Sequence, residues 1–205
     1  MAKHGTLFPF VETSMPRIPT VELEQAANDV KAIYSDFHTR MSFPAPPNFI
    51  KSQGHSATVA QGTWDLVRNV LVTGRISRYH KEMLFVAISH DRNCRYCEAA
   101  HIACCRMLGG DQELLDALVY DIESLPDHKT RDMILFGLKC SRNPQSLTTA
   151  DFASLRQHGF GDADIVEVIA MSGLAVYANI MADAIGMEAD EMFAEVARGS
   201  ELAAG

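Results

Sequence analysis

Asn93-Cys94-Arg95-Tyr96-Cys97-Glu98-Ala99-Ala100-His101 is the stretch of this chain best equipped for chemistry. On a helix, Cys94, Cys97 and His101 fall at i, i+3 and i+7 and so share one face. Thiols in a first helical turn sit beside unpaired backbone amides and the positive end of the helix dipole, which favours a thiolate and its reactivity. The short spacing lets one sulfur attack the other once it is oxidised. His101, one turn further on, is suited to accept or return a proton near neutral pH. Four chemistries compete for such a C-x-x-C. Covalent haem attachment needs His directly after the second Cys, and Glu98 stands there. A thioredoxin-like motif needs a βαβ surround, which is missing although Leu84–Ile88 could imitate its strand. A zinc site could draw on Cys94, Cys97, His101 and Cys104 or Cys105, but one helix hardly wraps a tetrahedral ion. The fourth is a catalytic dithiol.

The rest of the chain must hold this stripe in place. The length of 205 residues fits one domain, or one domain built from two similar halves. Residues 1–20, with Pro9, Pro16 and Pro19, read as an arm on the surface or reaching to a neighbouring subunit. Residues 21–205 read as an all-α domain. Thr20 is the expected cap of a first helix carrying Leu23, Ala26, Ala27, Val30, Ile33 and Tyr34. Pro44, Pro46 and Pro47 break the pattern, and helical spacing resumes over residues 55–72. The next helix spans 77–89. His90 to Asn93 then make a break, and Asn93 is the expected N-cap of the helix that begins at Cys94 and stops at Gly109-Gly110. Asp111 caps another helix, and further helices are expected over 129–141, 148–158, 162–185 and 190–198. Leu84–Ile88 and Val70–Thr73 are the only strand-like runs, and neither alternates nor has hairpin turns beside it. The segment 165–185 is apolar nearly all round, as in a helix at the centre of a domain or in a subunit interface.

Composition narrows the function. The net charge of −8 and the lack of a Lys/Arg stripe exclude a nucleic-acid partner. No uninterrupted apolar run is long enough to span a bilayer, and the N-terminus lacks a signal-peptide pattern. A cytoplasmic chain is expected. Five cysteines, four of them within twelve positions, then suggest redox or metal chemistry rather than structural disulfides.

Glu82 lies twelve positions before Cys94. The pattern Glu82, then Cys94-x-x-Cys97-x-x-x-His101, resembles the AhpD-like alkylhydroperoxidases of the carboxymuconolactone decarboxylase superfamily. Arg78 to Gly109 carries the strongest likeness. Thr148-Thr149-Ala150-Asp151-Phe152 and Gly159-Phe160-Gly161-Asp162, ahead of the long apolar helix, extend it to about two-thirds of the chain. The resemblance implies an AhpD-like helical fold, a homo-oligomer and reduction of a hydroperoxide substrate. It implies that Cys97 is the sulfur oxidised by peroxide and that Cys94 is the resolving thiol and proton donor. Glu82 and His101 would form the proton relay. No cofactor or metal is implied, and an external dithiol, for which a lipoyl-type group is one candidate, would regenerate the pair. The namesake peroxidases carry a second His where this chain has Tyr96. The decarboxylase branch generally lacks the cysteine pair. Two alternatives stand beside this reading: a lactone-cleaving lyase using Glu82 and His101 as acid and base, and a non-catalytic metal- or redox-sensing module.

Other reactive residue types have plainer expectations. Cys104, Cys105 and Cys140 are expected to be buried small hydrophobes, with Cys104 or Cys105 as a secondary thiol in the minority view. His55, His80 and His90 suit surface or capping roles. Arg92 and Arg95 flank the motif, either solvated or stabilising a thiolate. Trp64 and the Phe residues belong to the core. Tyr177, Asn179 and Asp183 are polar residues on the apolar segment, placed either in an interface or opposite the thiols.

Overall fold

The computed structural model describes residues 15–199, and these form helices with no strand among them. In chain order they are α1 (Asn28–Met41), α2 (Asn48–Lys51), α3 (Ala57–Leu66), α4 (Arg78–Asp91), α5 (Arg95–Met107), α6 (Gln112–Tyr120), α7 (His128–Arg142), α8 (Thr149–Gln157), α9 (Asp162–Ile185) and α10 (Glu191–Gly199). Local signals set most of the boundaries. Ser77 and Asp111 accept from the backbone amides of His80 and Leu114 at the starts of α4 and α6. A capping box of Thr148 and Asp151 opens α8. Gly186 closes α9 at φ 72°, a left-handed conformation that Gly adopts without a Cβ clash.

α4 is the centre of the molecule, packed against α5, α7 and α9. Its residues Lys81 to Ser89 are all buried. That explains the strand-like run Leu84–Ile88: a helix enclosed on every side is apolar on every side and loses its 3.6-residue signature. The second strand-like run is also helical. Val67–Val72 continues α3 as a π-helix, and Thr73 ends it in extended conformation. The contact between α4, α7 and α9 depends on Gly137, where a Cβ would stand 2.5 Å from Leu84 Cδ1 and 3.0 Å from Ser172 Oγ. Overpacking of that kind costs about 1–3 kcal/mol. Lys81 is buried on α4 but paired, reaching Glu167 on α9 and the carbonyl of Thr73. Pairing is what makes a buried charge tolerable.

Three sequence expectations shift. The first helix starts at Asn28 rather than after Thr20; residues 23–25 form turns, and Leu23 is exposed. Of the 1–20 arm, residues 1–14 lie outside the described residues. Arg17 is fastened to the end of α9 in the same chain, through its amide to Ile185 O (2.7 Å) and its guanidinium to Asp183 O (2.8 Å). Finally, α9 is long and apolar enough, by length and composition, to cross a membrane. In the fold it is a core helix with one buried face, formed by Ile165, Val168, Met171, Leu174, Ala175 and Ala178 among others.

Candidate active site

The break between α4 and α5 is tight. Asn93 takes φ 57°, a left-handed conformation Asn tolerates better than most residues. The Cys94 amide turns back to Ser89 O at 2.9 Å. Asn93 is therefore not the N-cap. Cys94 is the cap, with extended backbone, and α5 begins at Arg95. Cys97 becomes the third residue of the helix, inside its first turn. The two cysteines lie near each other at the start of α5, with different surroundings. Cys94 Sγ points to α9, 3.9 Å from the carbonyl of Asn179. Cys97 lines a cavity. Both are free thiols and both are buried, at 0% and 1% exposure. The neighbouring Cys97, together with burial, pushes the Cys94 thiol far up.

His101 follows Cys97 by one turn and lines the same cavity. Its Nδ1 lies 2.5 Å from Oε2 of Glu82, which reaches across from α4. Arg78, one turn before Glu82, donates from Nε to Oε1 at 3.1 Å. Burial by itself would push the Glu82 carboxyl up, but His101 and Arg78 outweigh it and hold the group below the ordinary carboxylate value. The imidazole is also stacked on Phe85, with ring centroids 3.4 Å apart and planes 14° from parallel. A carboxylate on Nδ1 orients the ring and settles Nδ1 as the protonated nitrogen, leaving Nε2 to accept.

Glu82, Cys94, Cys97 and His101 are thus gathered at one junction of α4, α5 and α9. Sequence reasoning missed Arg78 and Phe85. The available signal was their spacing from Glu82, i−4 and i+3, which places them on its face of α4. Cys104 is buried as expected, yet it is more than filler: it lines the cavity beside His101. Burial and the Glu82 charge push its thiol well up. The donor atoms of Glu82, His101 and Cys104 lie within 4.8 Å of one another, and among the described residues these three could hold a metal ion. Arg78 already supplies positive charge to Glu82 in this cluster.

The cavity extends from Cys97 and His101 and is small, about 60 Å³ of enclosed space. Phe37, Phe43, Phe49, Phe85 and Phe193 give it an aromatic wall. Tyr96 also lines it, but its hydroxyl is engaged, accepting from Phe49 N at 3.0 Å and donating to Asp190 Oδ2 at 2.6 Å.

The remaining polar candidates serve the scaffold. His55 meets Pro19 O at 2.9 Å, His80 meets the capping Ser77 at 2.7 Å, and His90 meets Glu98 at 3.2 Å. Arg92 and Arg95 are exposed. Tyr177 bonds Thr63 at 2.6 Å, and Asn179 donates to Ser89 at 3.0 Å beside Cys94. Asn179 therefore braces the thiol side of the junction, Tyr177 ties α9 to α3, and neither these two nor Asp183 lines the cavity.

No protein-family model and no curated protein matches this chain. Solved structures do. An uncharacterized peroxidase-related protein from Ralstonia eutropha JMP134, described as an alkylhydroperoxidase AhpD core, superposes with a TM-score of 0.80 at 25% identity, covering 89% of this chain and 96% of its own. A peroxidase-related protein from Silicibacter sp. TM1040 superposes with a TM-score of 0.79 at 24% identity, over 89% of this chain and 97% of its own. The debrominase Bmp8, solved in complex with 2,3,4-tribromopyrrole, superposes with a TM-score of 0.74 at 14% identity, over 92% and 98% of the two chains. The fold of this chain is that of the AhpD-like superfamily.

Proposed function

We propose that the protein is a thiol-dependent hydroperoxide reductase that cycles Cys94 and Cys97 between dithiol and disulfide. One observation carries the reading: Cys97 and a carboxylate-held imidazole, His101, open onto the same apolar cavity, with the buried free thiol of Cys94 nearby. His101 Nε2 takes the Cys97 proton, and the first-turn position favours the resulting negative charge. The thiolate attacks the outer oxygen of the hydroperoxide. The O–O bond breaks, an S–O bond forms, and the departing alkoxide takes the proton from His101 or Cys94, giving an alcohol and a Cys97 sulfenic acid. Cys94 then attacks the Cys97 sulfur, and water leaves as the disulfide forms. An external dithiol returns two electrons and two protons. Glu82 keeps the imidazole in its tautomer throughout, as a positioning carboxylate does in other relays.

The test is a thiol count. Reduced, metal-free protein treated with one equivalent of cumene hydroperoxide loses two thiols, and mass spectrometry places the disulfide at Cys94 and Cys97. Retention of all five thiols over many minutes overturns the reading and leaves disulfides and lactones as the next substrates to try. A lactone-cleaving activity would persist in Cys97→Ser.

The protein is also proposed to work as a homo-oligomer in the cytoplasm. Support comes from the outward face of α9, where Val166, Ile169 and Ile180 are 64%, 39% and 53% exposed. A run of apolar side chains on one helix face is an association surface. Light scattering coupled to gel filtration is expected to give a multiple of the 22.6 kDa chain mass. A monomer at micromolar concentration would contradict it.

A further inference from the structure

The cavity has a cover, and the cover is locked. Phe49 follows α2's first residue, and Phe193 lies in α10, so two distant parts of the chain close over the α5 face that carries Cys97. Phe193 meets Phe43 edge-on at 5.4 Å between centroids and is nearly fully buried. Both parts are fixed to Tyr96, the immediate neighbour of Cys97. The Tyr96 hydroxyl takes the Phe49 amide and gives its proton to Asp190, at the residue from which α10 starts. The other oxygen of Asp190 accepts from the Asn48 amide at 2.9 Å. Gln53 holds the Phe49 carbonyl at 2.8 Å and is itself held by Thr63 at 2.5 Å. Asp190 is 8% exposed, so this is a built, buried lock rather than a surface contact.

Among the described residues lining the cavity, none is Lys, Arg, Asp or Glu. A ligand that brings a carboxylate or phosphate into its aromatic part would lose its hydration with no cationic Lys or Arg to replace it. Hydrogen peroxide has the opposite defect: it leaves the aromatic wall unfilled and gains no apolar contact.

We propose that Tyr96 and Asp190 are specificity-determining residues, which hold Phe49 and Phe193 over Cys97 so that the site accepts a compact, uncharged, apolar hydroperoxide and turns away long-chain ionic ones. This inference rests on the hydroperoxide reading for its substrate class. The lock itself stands on geometry alone. Tyr96 is a positioning residue here; its hydroxyl is spent on the cover and takes no part in proton transfer.

The experiment measures the oxidation rate of Cys97 by cumene hydroperoxide, hydrogen peroxide and the hydroperoxide of linoleic acid, in wild type, Tyr96→Phe and Phe193→Ala. Wild type is expected to react at least about ten-fold faster with cumene hydroperoxide than with either of the others. In both variants the preference over the linoleic acid hydroperoxide falls by about ten-fold, while the hydrogen peroxide rate changes by less than about three-fold. Equal wild-type rates with cumene and linoleic acid hydroperoxides overturn the substrate class, and an unchanged preference in both variants overturns the lock. Phe193→Ala leaves every bond of Tyr96 in place, so it remains informative if Tyr96→Phe folds poorly. Inertness to all three peroxides counts against the hydroperoxide reading instead. The lock is then decided by Cys97 labelling with methyl methanethiosulfonate against the larger dianion 5,5′-dithiobis(2-nitrobenzoate). The small reagent must be strongly preferred in wild type and lose that preference in the variants.

Discussion

Cys97→Ser is expected to abolish oxidation by cumene hydroperoxide, lowering the rate by roughly three orders of magnitude or more, as loss of a nucleophile does elsewhere. A hydroxyl in the same place keeps the volume but does not ionise near neutral pH, so nothing attacks the O–O bond. Cys94→Ser separates the two halves of the reaction. Its Cys97 should still be oxidised once, because that step needs only the thiolate and a proton source, and His101 supplies one. The sulfenic acid then has no partner. It should persist long enough to be trapped by dimedone and seen as a single adduct on Cys97, with no turnover on adding dithiol. Cys104, the other buried thiol that lines the cavity, provides a sharp control. If Cys94→Ser still forms an intramolecular disulfide, Cys104 is resolving Cys97 and the assignment of Cys94 is wrong.

Replacement of Glu82 should produce the second large effect, and it should show in stability as well as rate. Glu82 has no solvent exposure and carries both Arg78 and His101. Glu82→Ala leaves those two groups facing an uncompensated cavity, and breaking a buried pair in this way costs about 3–5 kcal/mol. For a chain of this size that is a fall in Tm of roughly 10 °C, readable by calorimetry. Glu82→Gln keeps the shape, so it should fold better, yet it no longer stabilises the imidazolium and should lower the peroxide rate by about 10²–10⁴-fold. The pH dependence has a definite sign. The Glu82 carboxyl is held below its ordinary value of 4.5. Its contribution to folding is therefore present in full above 4.5 and is lost as the pH drops through the lower folded-state value. Part of the acid limb of the stability curve should vanish in Glu82→Gln. An unchanged acid limb, with an unchanged rate, would remove Glu82 from the site.

The reach of sequence reasoning in this protein follows the distance over which a signal acts. The common face of Cys97 and His101 was legible because helical periodicity is local. The cap of α5 was misplaced by one residue for an equally local reason. Asn serves both as an N-cap and as a left-handed residue, and at Asn93 the second role won because the chain must reverse from α4 into α5. Leu84–Ile88 was ambiguous because complete burial of α4 erases the polar face that would have marked a helix. Glu82 belongs to another helix, so no periodicity ties it to the thiols; it was found only through resemblance to a known spacing. The Tyr96–Asp190 pair spans 94 positions. Neither residue is distinctive alone, and only the packing of α10 on α5 reveals that they meet.

The burial of the two sulfurs has a further consequence, for whatever returns the electrons. A disulfide between Cys94 and Cys97 would be buried, since both cysteines are at most 1% exposed and Cys97 shares its cavity with Phe49 and Phe193. A reductant that displays its thiols on a broad globular surface would be stopped by the rim of the cavity before its sulfur came within bonding distance. On the proposed dithiol cycle the donor would have to be slender: a dithiol at the tip of a long unbranched tether, apolar enough to pass the aromatic wall. On that cycle oxidant and reductant would use the cavity in turn, and the alcohol formed in the first half would have to leave before the second half could begin.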